Sequence, residues 1–256
     1  MTGKVALVTG ASRGIGAAVA RAFCSAGARV ALSARDAEAL DRLAGELGHS
    51  QTLALPTDVS DAAAVAEMVE RVVSEYGRLD FACNNAAGGG HPPTPLAEVP
   101  IEAFDSMQAI SLRGIFLSMR AEIPAIVRSG GGAIVNMSST AGLQGVGGLS
   151  SYVAAKHGVE GLTKVAALDY AEVGVRVNAL APGPILTDNL KRAGTTAQQA
   201  AAAAMPLRRV GQPEEVAAAV LWLCSDQSGF ITGTTLTIDG GKLADTPPFQ
   251  VKAGPR

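Results

Sequence analysis

Short apolar runs alternate with longer amphipathic segments along most of the chain. The runs, rich in Val, Leu, Ile and Ala, predict β-strands at residues 4–9, 29–33, 52–60, 79–85, 133–138, 175–181 and 235–239. Apolar residues at helical spacing predict α-helices at residues 14–28, 37–48, 61–77, 101–128, 151–172 and 214–225. Seven strands that alternate with helices indicate an α/β fold, in which a doubly wound, seven-stranded parallel sheet has helices on both faces.

Two segments stand outside this alternation. Residues 195–205 are alanine-rich and fit either a mobile helical lid over a site or a solvated helix. Residues 246–256 have no periodicity and are expected to lie extended over the surface or at an interface. No linker composition divides the chain, so residues 1–256 are predicted to form one domain.

Composition narrows the class of protein. Of the 256 residues, 48% are hydrophobic but only 4% are aromatic, so the core is expected to be aliphatic. A net charge of −2 gives no basic surface for nucleic acid or for an anionic membrane. Cys24, Cys83 and Cys224 have neither disulfide nor metal-ligand spacing, which predicts no metal site and favours a reducing, cytoplasmic compartment. The first residues lack a signal-peptide pattern, and no apolar run is long enough to span a membrane.

A glycine cluster, TGASRGIG, joins the first predicted strand to the first predicted helix. In this setting Gly10 permits a tight turn, Gly14 allows the backbone to approach a pyrophosphate, and Gly16 allows the helix to pack against the strand. The helix N-terminus then presents free N–H groups and a positive dipole end to phosphate. The cluster predicts a Rossmann-type dinucleotide site; the alternative is a glycine-rich turn that binds nothing.

The end of the second strand bears on the choice of nicotinamide cofactor. An NAD site usually has an acidic residue there, which binds the ribose hydroxyls. That position holds Ala34, followed by Arg35, and Arg13 lies in the glycine cluster. Two guanidiniums suit a 2′-phosphate, so NADP(H) is favoured. Asp36, one residue late for the usual carboxylate, keeps NAD open, and a pair of solvated arginines is a further alternative.

The stretch SSYVAAKHG places Tyr152 and Lys156 one helical turn apart, a spacing that also arises by chance. Its wider context resembles the one-domain form of the short-chain dehydrogenase/reductase family over about residues 3–242, and is similar to the 3-oxoacyl-(acyl-carrier-protein) reductase branch. The motifs that carry the resemblance are TGASRGIG, LPTDVS with Asp58, NNAAG (84–88), IVNMSS ending at Ser139, the Tyr152–Lys156 pair that follows Ser139, APGPILT (181–187) and TGTTLTIDGG.

The resemblance implies a set of cofactor-binding and catalytic positions. The positions implied for the cofactor are Gly10, Ser12, Arg13, Gly14, Ile15, Gly16, Arg35, Asp58, Val59, Asn85, Ala86, Ala87, Tyr152, Lys156, Pro182, Gly183, Ile185 and Thr187. The implied catalytic residues are Ser139, Tyr152, Lys156 and Ser111. By the same resemblance Asp58 meets the adenine, and residues 181–187 hold the nicotinamide end.

The family's reaction moves a hydride between a nicotinamide cofactor and a carbonyl or secondary alcohol. By the resemblance, Tyr152 gives a proton to the substrate oxygen or takes one from it, while Ser139 holds the same oxygen by a hydrogen bond. Lys156 binds the nicotinamide ribose. Because tyrosine has an unperturbed pKa of about 10, it is a poor acid or base near neutral pH. The Lys156 ammonium and an oxidised nicotinamide together are expected to lower the pKa of Tyr152.

Two positions depart from the family pattern. Ser111 stands where the family usually has an Asn that helps to hold a proton-relaying water, and Ala87 stands where the Asn-Asn-Ala-Gly element has its Gly, with Gly88 next. A serine hydroxyl can also hold a water, so the relay could be altered or rerouted. The predicted function is an NADP(H)-dependent oxidoreductase. The alternatives are an NAD-dependent catabolic alcohol or sugar dehydrogenase, and a nucleotide-binding protein of the same fold without turnover.

The substrate pocket is expected to be lined by loops at residues 86–100, 140–150 and 184–210. These loops are rich in Gly, Pro and Ala and carry few charges, which favours a small, neutral, moderately apolar carbonyl or alcohol substrate. The resemblance further implies a homotetramer, with the helices at 101–128 and 151–172 packed between subunits.

Overall fold

The computed structural model describes residues 1–88 and 90–244 of the chain. Its strands are β1 (Val5–Thr9), β2 (Arg29–Ala34), β3 (Thr52–Pro56), β4 (Phe81–Asn84), β5 (Gly132–Met137), β6 (Val175–Pro182) and β7 (Thr235–Ile238). They form one sheet in the order β3-β2-β1-β4-β5-β6-β7, and each neighbouring pair is parallel. The predicted seven-stranded parallel sheet is confirmed. The segment 246–256, predicted to be extended, lies outside the described residues.

Helices connect the strands. In the described part of the chain they are α1 (Gly14–Ser25), α2 (Ala37–Leu47), α3 (Ala62–Tyr76), α4 (Ile101–Gln108), α5 (Gly114–Arg128), α6 (Ser150–Tyr170), α7 (Asp188–Arg192), α8 (Gly194–Ala203) and α9 (Pro213–Cys224). Two of them begin at an aspartate whose side chain accepts hydrogen bonds from the first turn, Asp36 before α2 and Asp61 before α3. The predicted helices are present, with ends shifted by a few residues.

The long helix predicted at residues 101–128 contains an interruption. A π-helical segment, Ala109–Arg113, separates α4 from α5. At the start of α5, a β-carbon on Gly114 would lie 2.9 Å from Val59 Cγ2, so this helix packs directly on the loop that follows β3. Such π segments are frequent at functional sites, and this one carries Ser111.

The region predicted as a loop at residues 184–210 contains two helices, α7 and α8. Helix α7 was not predicted, because five residues leave no periodicity to detect. The alanine-rich segment forms α8, in agreement with the helical character of both alternatives. The choice between a lid and a solvated helix stays a prediction.

The core lies on both faces of the sheet. Along β1, Ala6 and Val8 pack with α1, α2 and α9, whereas Val5 and Leu7 pack with α3, α5 and α6. All four side chains are buried, because helices cover a parallel sheet on each side. This arrangement confirms the doubly wound α/β fold.

The strand order reverses beside β1. This strand pairs with β2 on one side and with β4 on the other, so the loops after β1 and β4 leave the sheet in opposite directions. In open α/β sheets a crevice forms at the carboxyl ends of the strands at such a switch point. The fold therefore places the loops that follow β1, β2 and β4 around one crevice.

Three further properties concern membranes, metals and thiols. Among residues 1–88 and 90–244, no helix combines the length and apolarity needed to cross a bilayer, and no group of three or more His, Cys, Asp or Glu could hold a metal ion.

Cys24, Cys83 and Cys224 are free and buried. Burial raises the pKa of Cys24 to about 11 and that of Cys224 to about 12, and it raises the pKa of Cys83 well above the ordinary value. The three thiols are therefore protonated and shielded.

Candidate active site

A cavity of about 410 Å³ opens at the switch point, a size typical of small-molecule sites. The predicted cofactor positions in its lining are Gly10, Ser12, Arg13, Gly14, Ile15, Arg35, Asp58, Val59, Asn85, Ala86, Ala87 and Thr187. The predicted positions outside the lining are Gly16, Pro182, Gly183, Ile185, Tyr152 and Lys156. The cavity thus brings together twelve of the eighteen positions predicted for the cofactor.

The glycine loop forms the floor of this cavity where α1 begins. Gly14 has a φ of +56°, in the left-handed region that glycine adopts without strain. A β-carbon on Gly16 would lie 2.2 Å from the Gly10 carbonyl oxygen and 2.7 Å from Asn85 Nδ2, so a side chain there would prevent the close approach of helix and loop. The side chain of Arg13, which precedes α1, does not cap the helix. The N–H groups of its first turn therefore fit a diphosphate, as the sequence predicts.

Two arginines and one aspartate stand at the mouth of the cavity, beside the end of β2. The Asp36 carboxylate accepts a hydrogen bond from Ala39 N at 3.0 Å and caps α2. Arg13 and Arg35 are exposed, and Arg35 Nη2 lies 4.0 Å from the place that a β-carbon on Gly88 would take. Arg35 thus extends across the cavity, whereas the Asp36 carboxylate is engaged by its own helix.

Asp58 is in the cavity wall after β3. Its Oδ1 accepts hydrogen bonds from Ser60 N at 2.9 Å and from the Ser60 hydroxyl at 2.7 Å. These bonds, with a smaller contribution from the positive charge of Arg35, hold the pKa of Asp58 below its usual value. An ionised carboxylate is therefore available at the position predicted to meet the adenine.

The predicted catalytic side chains meet between β5 and α6. Ser139 lies just after β5, and its Oγ accepts a hydrogen bond from Ala141 N at 3.2 Å. The Ser139 side chain is also close enough to the Tyr152 phenol to lower its pKa. Lys156 Nζ donates to the Met137 carbonyl oxygen at 2.7 Å and lies 5.7 Å from the centroid of the Tyr152 ring. The hydroxyl, the phenol and the ammonium thus form one cluster.

Burial dominates the electrostatics of this cluster. Burial raises the pKa of Tyr152, although the nearby Ser139 side chain opposes this rise. Burial also lowers the pKa of Lys156 to about 8, against the opposing charge of Glu160. The protein by itself therefore departs from the predicted lowering of the Tyr152 pKa. The physical reason is that both groups leave water, and the Lys156 ammonium is directed at the Met137 carbonyl. The joint effect of the ammonium and an oxidised nicotinamide stays a prediction.

Comparison with known proteins agrees with this geometry. Residues 10–242 match a family model described as enoyl-(acyl carrier protein) reductase, a model of the short-chain dehydrogenase/reductases. The chain belongs to the short-chain dehydrogenase/reductase family.

Several curated relatives of this short-chain dehydrogenase/reductase align over nearly their whole length. The A-factor type gamma-butyrolactone 1′-reductase of Streptomyces virginiae is 40% identical, over 94% of this chain and 96% of that protein. The cyclohexanol dehydrogenase of an Acinetobacter species is 41% identical, over 93% of this chain and 94% of that protein. The 3-oxoacyl-(acyl-carrier-protein) reductase of Thermotoga maritima is 38% identical, over 94% of this chain and 98% of that protein. The relatives are named as reductases and dehydrogenases, and the chain is an enzyme of the same oxidoreductase family.

In this short-chain dehydrogenase/reductase, one departure from the family pattern, Ser111, contacts the residue that follows the other, Ala87. Ser111 is fully buried, and its Oγ lies 3.4 Å from both the N–H and the carbonyl oxygen of Gly88, which follows Ala87. The hydrogen bond of Lys156 goes instead to Met137. Ser111 therefore links the π segment to the loop after β4 and does not bond the lysine directly.

The loop predicted to hold the nicotinamide end is attached to the sheet at its base, and one of its residues lines the cavity. Gly183 N donates to the Ile238 carbonyl oxygen at 2.9 Å, and Ile185 is buried, so Pro182, Gly183 and Ile185 attach the loop to the sheet. Thr187 lines the cavity, with its methyl group 3.3 Å from the place of a β-carbon on Gly14. Contact of the three base residues with a cofactor stays a prediction.

Some lining residues are absent from the sequence-based set. They are Ala34, Asp36, Thr57, Ile110, Asp188 and Asn189. Thr57 precedes Asp58 in the LPTDVS motif, so the motif itself was a usable signal. Asp188 and Asn189 begin α7, a helix too short for the sequence pattern to indicate.

Proposed function

We propose that the chain is an NADP(H)-dependent oxidoreductase that transfers a hydride between the nicotinamide and a carbonyl or secondary alcohol of a small neutral substrate. The observation that carries the proposal is the cluster of Ser139, Tyr152 and Lys156 at the same edge of the sheet as the cavity of about 410 Å³. The cofactor supplies the hydride, and the protein supplies binding, orientation and the proton.

Each side chain of the cluster has a role that follows from its surroundings. The raised pKa of Tyr152 keeps its phenol protonated, which is the form that gives a proton to a carbonyl oxygen. Lys156, with a pKa of about 8, is mostly cationic at neutral pH, and its field stabilises the phenolate left behind. Ser139 offers a second hydrogen-bond donor to the same oxygen as negative charge develops there. In the oxidation direction, Tyr152 takes the proton of the alcohol.

The preference for NADP(H) is supported by the charges at the cavity mouth. Arg13 and Arg35 are exposed there, and planar guanidiniums match a 2′-phosphate through charge-assisted bonds. Ala34 at the end of β2 offers no carboxylate to ribose hydroxyls, and Asp36 caps α2. NAD is the second candidate, because Asp36 also lines the cavity and could exchange its capping bond for a ribose hydroxyl.

The substrate class that we propose is an uncharged cyclic ketone or secondary alcohol. Three relatives are named cyclohexanol dehydrogenase, cis-4-hydroxycyclohexanecarboxylate dehydrogenase and A-factor type gamma-butyrolactone 1′-reductase. Each of these names contains a cyclic compound. The loops expected to face the substrate carry few charges, which suits the uncharged members of this class.

Binding of NADPH and NADH, measured by calorimetry, tests the cofactor. Wild type is expected to prefer NADPH, and Arg35→Ala is expected to weaken NADPH binding about 10- to 100-fold, since a charge-assisted bond contributes roughly 1.5–3 kcal/mol. Arg42→Ala is the matched control, because Arg42 is an exposed arginine of α2 that does not line the cavity. Equal or tighter binding of NADH by wild type would contradict the choice of NADP(H) and favour an NAD-dependent dehydrogenase.

Turnover of a panel of neutral cyclic ketones, with charged oxo acids beside them, tests the reaction. Tyr152→Phe removes only the phenol oxygen and is expected to lower turnover by about 10²- to 10⁴-fold, with nucleotide binding unchanged. Tyr170→Phe, a tyrosine at the far end of the same helix, is the control and should be as active as wild type. Tight nucleotide binding without turnover of any carbonyl would favour the non-catalytic alternative.

A further inference from the structure

Helix α5 carries a carboxyl group that the proposed reaction does not use. Glu122 is 0% exposed, and its Oε2 accepts a hydrogen bond from Asn84 Nδ2 at 2.9 Å. Its Oε1 has no hydrogen-bond partner among the described residues, and no cation in that part of the chain pairs with it. A lone ionised carboxylate in a protein interior is strongly disfavoured, so this environment favours the protonated form.

Glu122 stands at one end of a buried chain of hydrogen bonds. Asn84 Nδ2 also donates to Asn136 Oδ1 at 3.1 Å, and Asn136 Nδ2 donates to Thr163 Oγ1 at 3.0 Å. Thr163 lies on α6, two turns after Lys156. These hydrogen bonds therefore link α5, through the adjacent strands β4 and β5, to α6, the helix that contains the predicted catalytic tyrosine and lysine.

The residue after Asn84 ties the same strand end to the glycine loop. Asn85 Nδ2 donates to the carbonyl oxygens of Thr9 and Gly10 at 3.2 Å each, and Asn85 N donates to Thr9 Oγ1 at 3.1 Å. Successive side chains of a strand point to opposite faces, so the two asparagines hold the end of β4 from both sides. The backbone that continues to Ala87 lines the cavity.

We propose that Glu122 is a positioning residue whose neutral carboxyl holds Asn84, and with it the end of β4, between the glycine loop and α6, so that nucleotide affinity depends on its protonation. This inference rests on the proposed function only in taking a nicotinamide nucleotide as the ligand of the cavity. Ionisation leaves a carboxylate without a cation in the interior. The structure can relieve this only by moving Glu122 or the strand end to which it is bonded.

The burial of Glu122 places the ionisation of its carboxyl near neutral pH. Burial raises the pKa of Glu122 to about 7, and the hydrogen bond from Asn84 only partly opposes the rise. If only the neutral form holds the strand end for binding, the apparent affinity falls with the neutral fraction. One pH unit above this pKa, the expected loss of affinity is about tenfold.

The other ionisable groups around Glu122 are separable from it. The thiol of Cys83 on β4 stays protonated, because burial raises its pKa well above the ordinary value. On α6, Lys156 donates to a backbone carbonyl and has a pKa of about 8, while Glu160 accepts a hydrogen bond from a β7 threonine. On β6, Arg176 donates to two backbone carbonyls. The charged side chains of α3, and those of α5 other than Glu122, are exposed.

The test compares nucleotide binding of wild type and three variants between about pH 5.5 and about pH 8.5. Glu122→Gln keeps an acceptor for Asn84 but cannot ionise, so its affinity should match wild type at the acidic end and exceed it about 30-fold at the basic end. Glu122→Met fills the space but offers no acceptor to Asn84. It should bind the nucleotide more weakly than Glu122→Gln at every pH. Ile123→Val, a buried change on the same helix, should follow the wild-type profile.

Both NADPH and NADH serve as probes, because the 2′-phosphate of NADPH itself titrates near pH 6. Its effect is common to all variants, so the comparison among variants isolates Glu122. Parallel pH profiles for wild type and Glu122→Gln would overturn the proposal, as would equal affinities of Glu122→Met and Glu122→Gln.

Chemical unfolding over the same pH range separates this proposal from the proposed function. A folded-state pKa above the unfolded one means that wild type loses stability as pH rises from about 4.5 to about 7, whereas Glu122→Gln does not. A wild type that binds neither nucleotide would overturn the proposed function together with the link from Glu122 to affinity. Equal pH dependence of unfolding in the two proteins, with nucleotide binding intact, would overturn the role of Glu122 alone.

Discussion

The tight contact between α1 and the glycine loop makes Gly16→Ala a sharp test of the cofactor cradle. The added β-carbon would lie 2.2 Å from the Gly10 carbonyl oxygen, whereas ordinary contacts begin at 3.4 Å. One of the two backbone segments must therefore move by about 1 Å. Asn85 Nδ2, 2.7 Å from the same point, blocks movement in its direction.

The size of the effect follows from two opposing contributions. Overpacking of a tight site costs about 1–3 kcal/mol, while replacing a helical glycine by alanine gains about 0.5–1 kcal/mol. We expect Gly16→Ala to be destabilised by up to about 2 kcal/mol. Because the shift displaces the N–H groups that we propose bind phosphate, we also expect nucleotide affinity to fall by about 10- to 100-fold.

Gly161→Ala provides the matched control. Gly161 lies inside α6, and a β-carbon there would have no atom within 4 Å, so only the helix-forming gain remains. Urea unfolding and NADPH titration of both variants measure the two effects. If Gly16→Ala were as stable as Gly161→Ala and bound the nucleotide as tightly as wild type, the close-packing argument for the glycine loop would be wrong.

Three further predictions concern buried polar groups. The Asp80 carboxylate is fully buried, and although burial raises its pKa, bonds from Arg78, Lys4 and a backbone N–H hold the pKa below the usual value. Asp80→Asn should therefore cost about 2–4 kcal/mol at neutral pH, and urea unfolding should show the difference narrowing as pH falls through the folded-state pKa. Burial of the Lys156 ammonium lowers its pKa to about 8 and so costs about 3 kcal/mol at neutral pH. Wild type should recover this stability between about pH 8 and pH 10.5, whereas Lys156→Met should not. Ser111→Ala removes only long hydrogen bonds and should change turnover less than about tenfold; loss of turnover would instead place Ser111 in the proton relay.

The sheet and the glycine loop could be predicted because each produces a recognisable pattern over a few neighbouring residues. Strands buried on both faces appear as continuous apolar runs, and the TGASRGIG spacing has meaning once a strand precedes it and a helix follows. The π segment at Ala109–Arg113 leaves no such signal, because one extra residue hardly changes the periodicity of a short segment. It is followed directly by a contact distant in sequence, that of Gly114 with Val59.

The electrostatics of the site were less accessible from the sequence than its residues. Ser139, Tyr152 and Lys156 are found by motif spacing, but the rise in the Tyr152 pKa depends on burial, which spacing does not report. Glu122 is a similar case. It stands two residues after the exposed Arg120, and its burial follows from the tertiary packing of α5.

The shielding of all three native thiols has a practical consequence for labelling. Maleimide reagents attack the exposed thiolate, and Cys24, Cys83 and Cys224 offer neither exposure nor the ionised form in the folded protein. A single cysteine introduced at the exposed Ala200 on α8 would therefore take up a fluorophore alone, without removal of any native cysteine. Its emission would report directly whether the alanine-rich helix moves when a nucleotide binds.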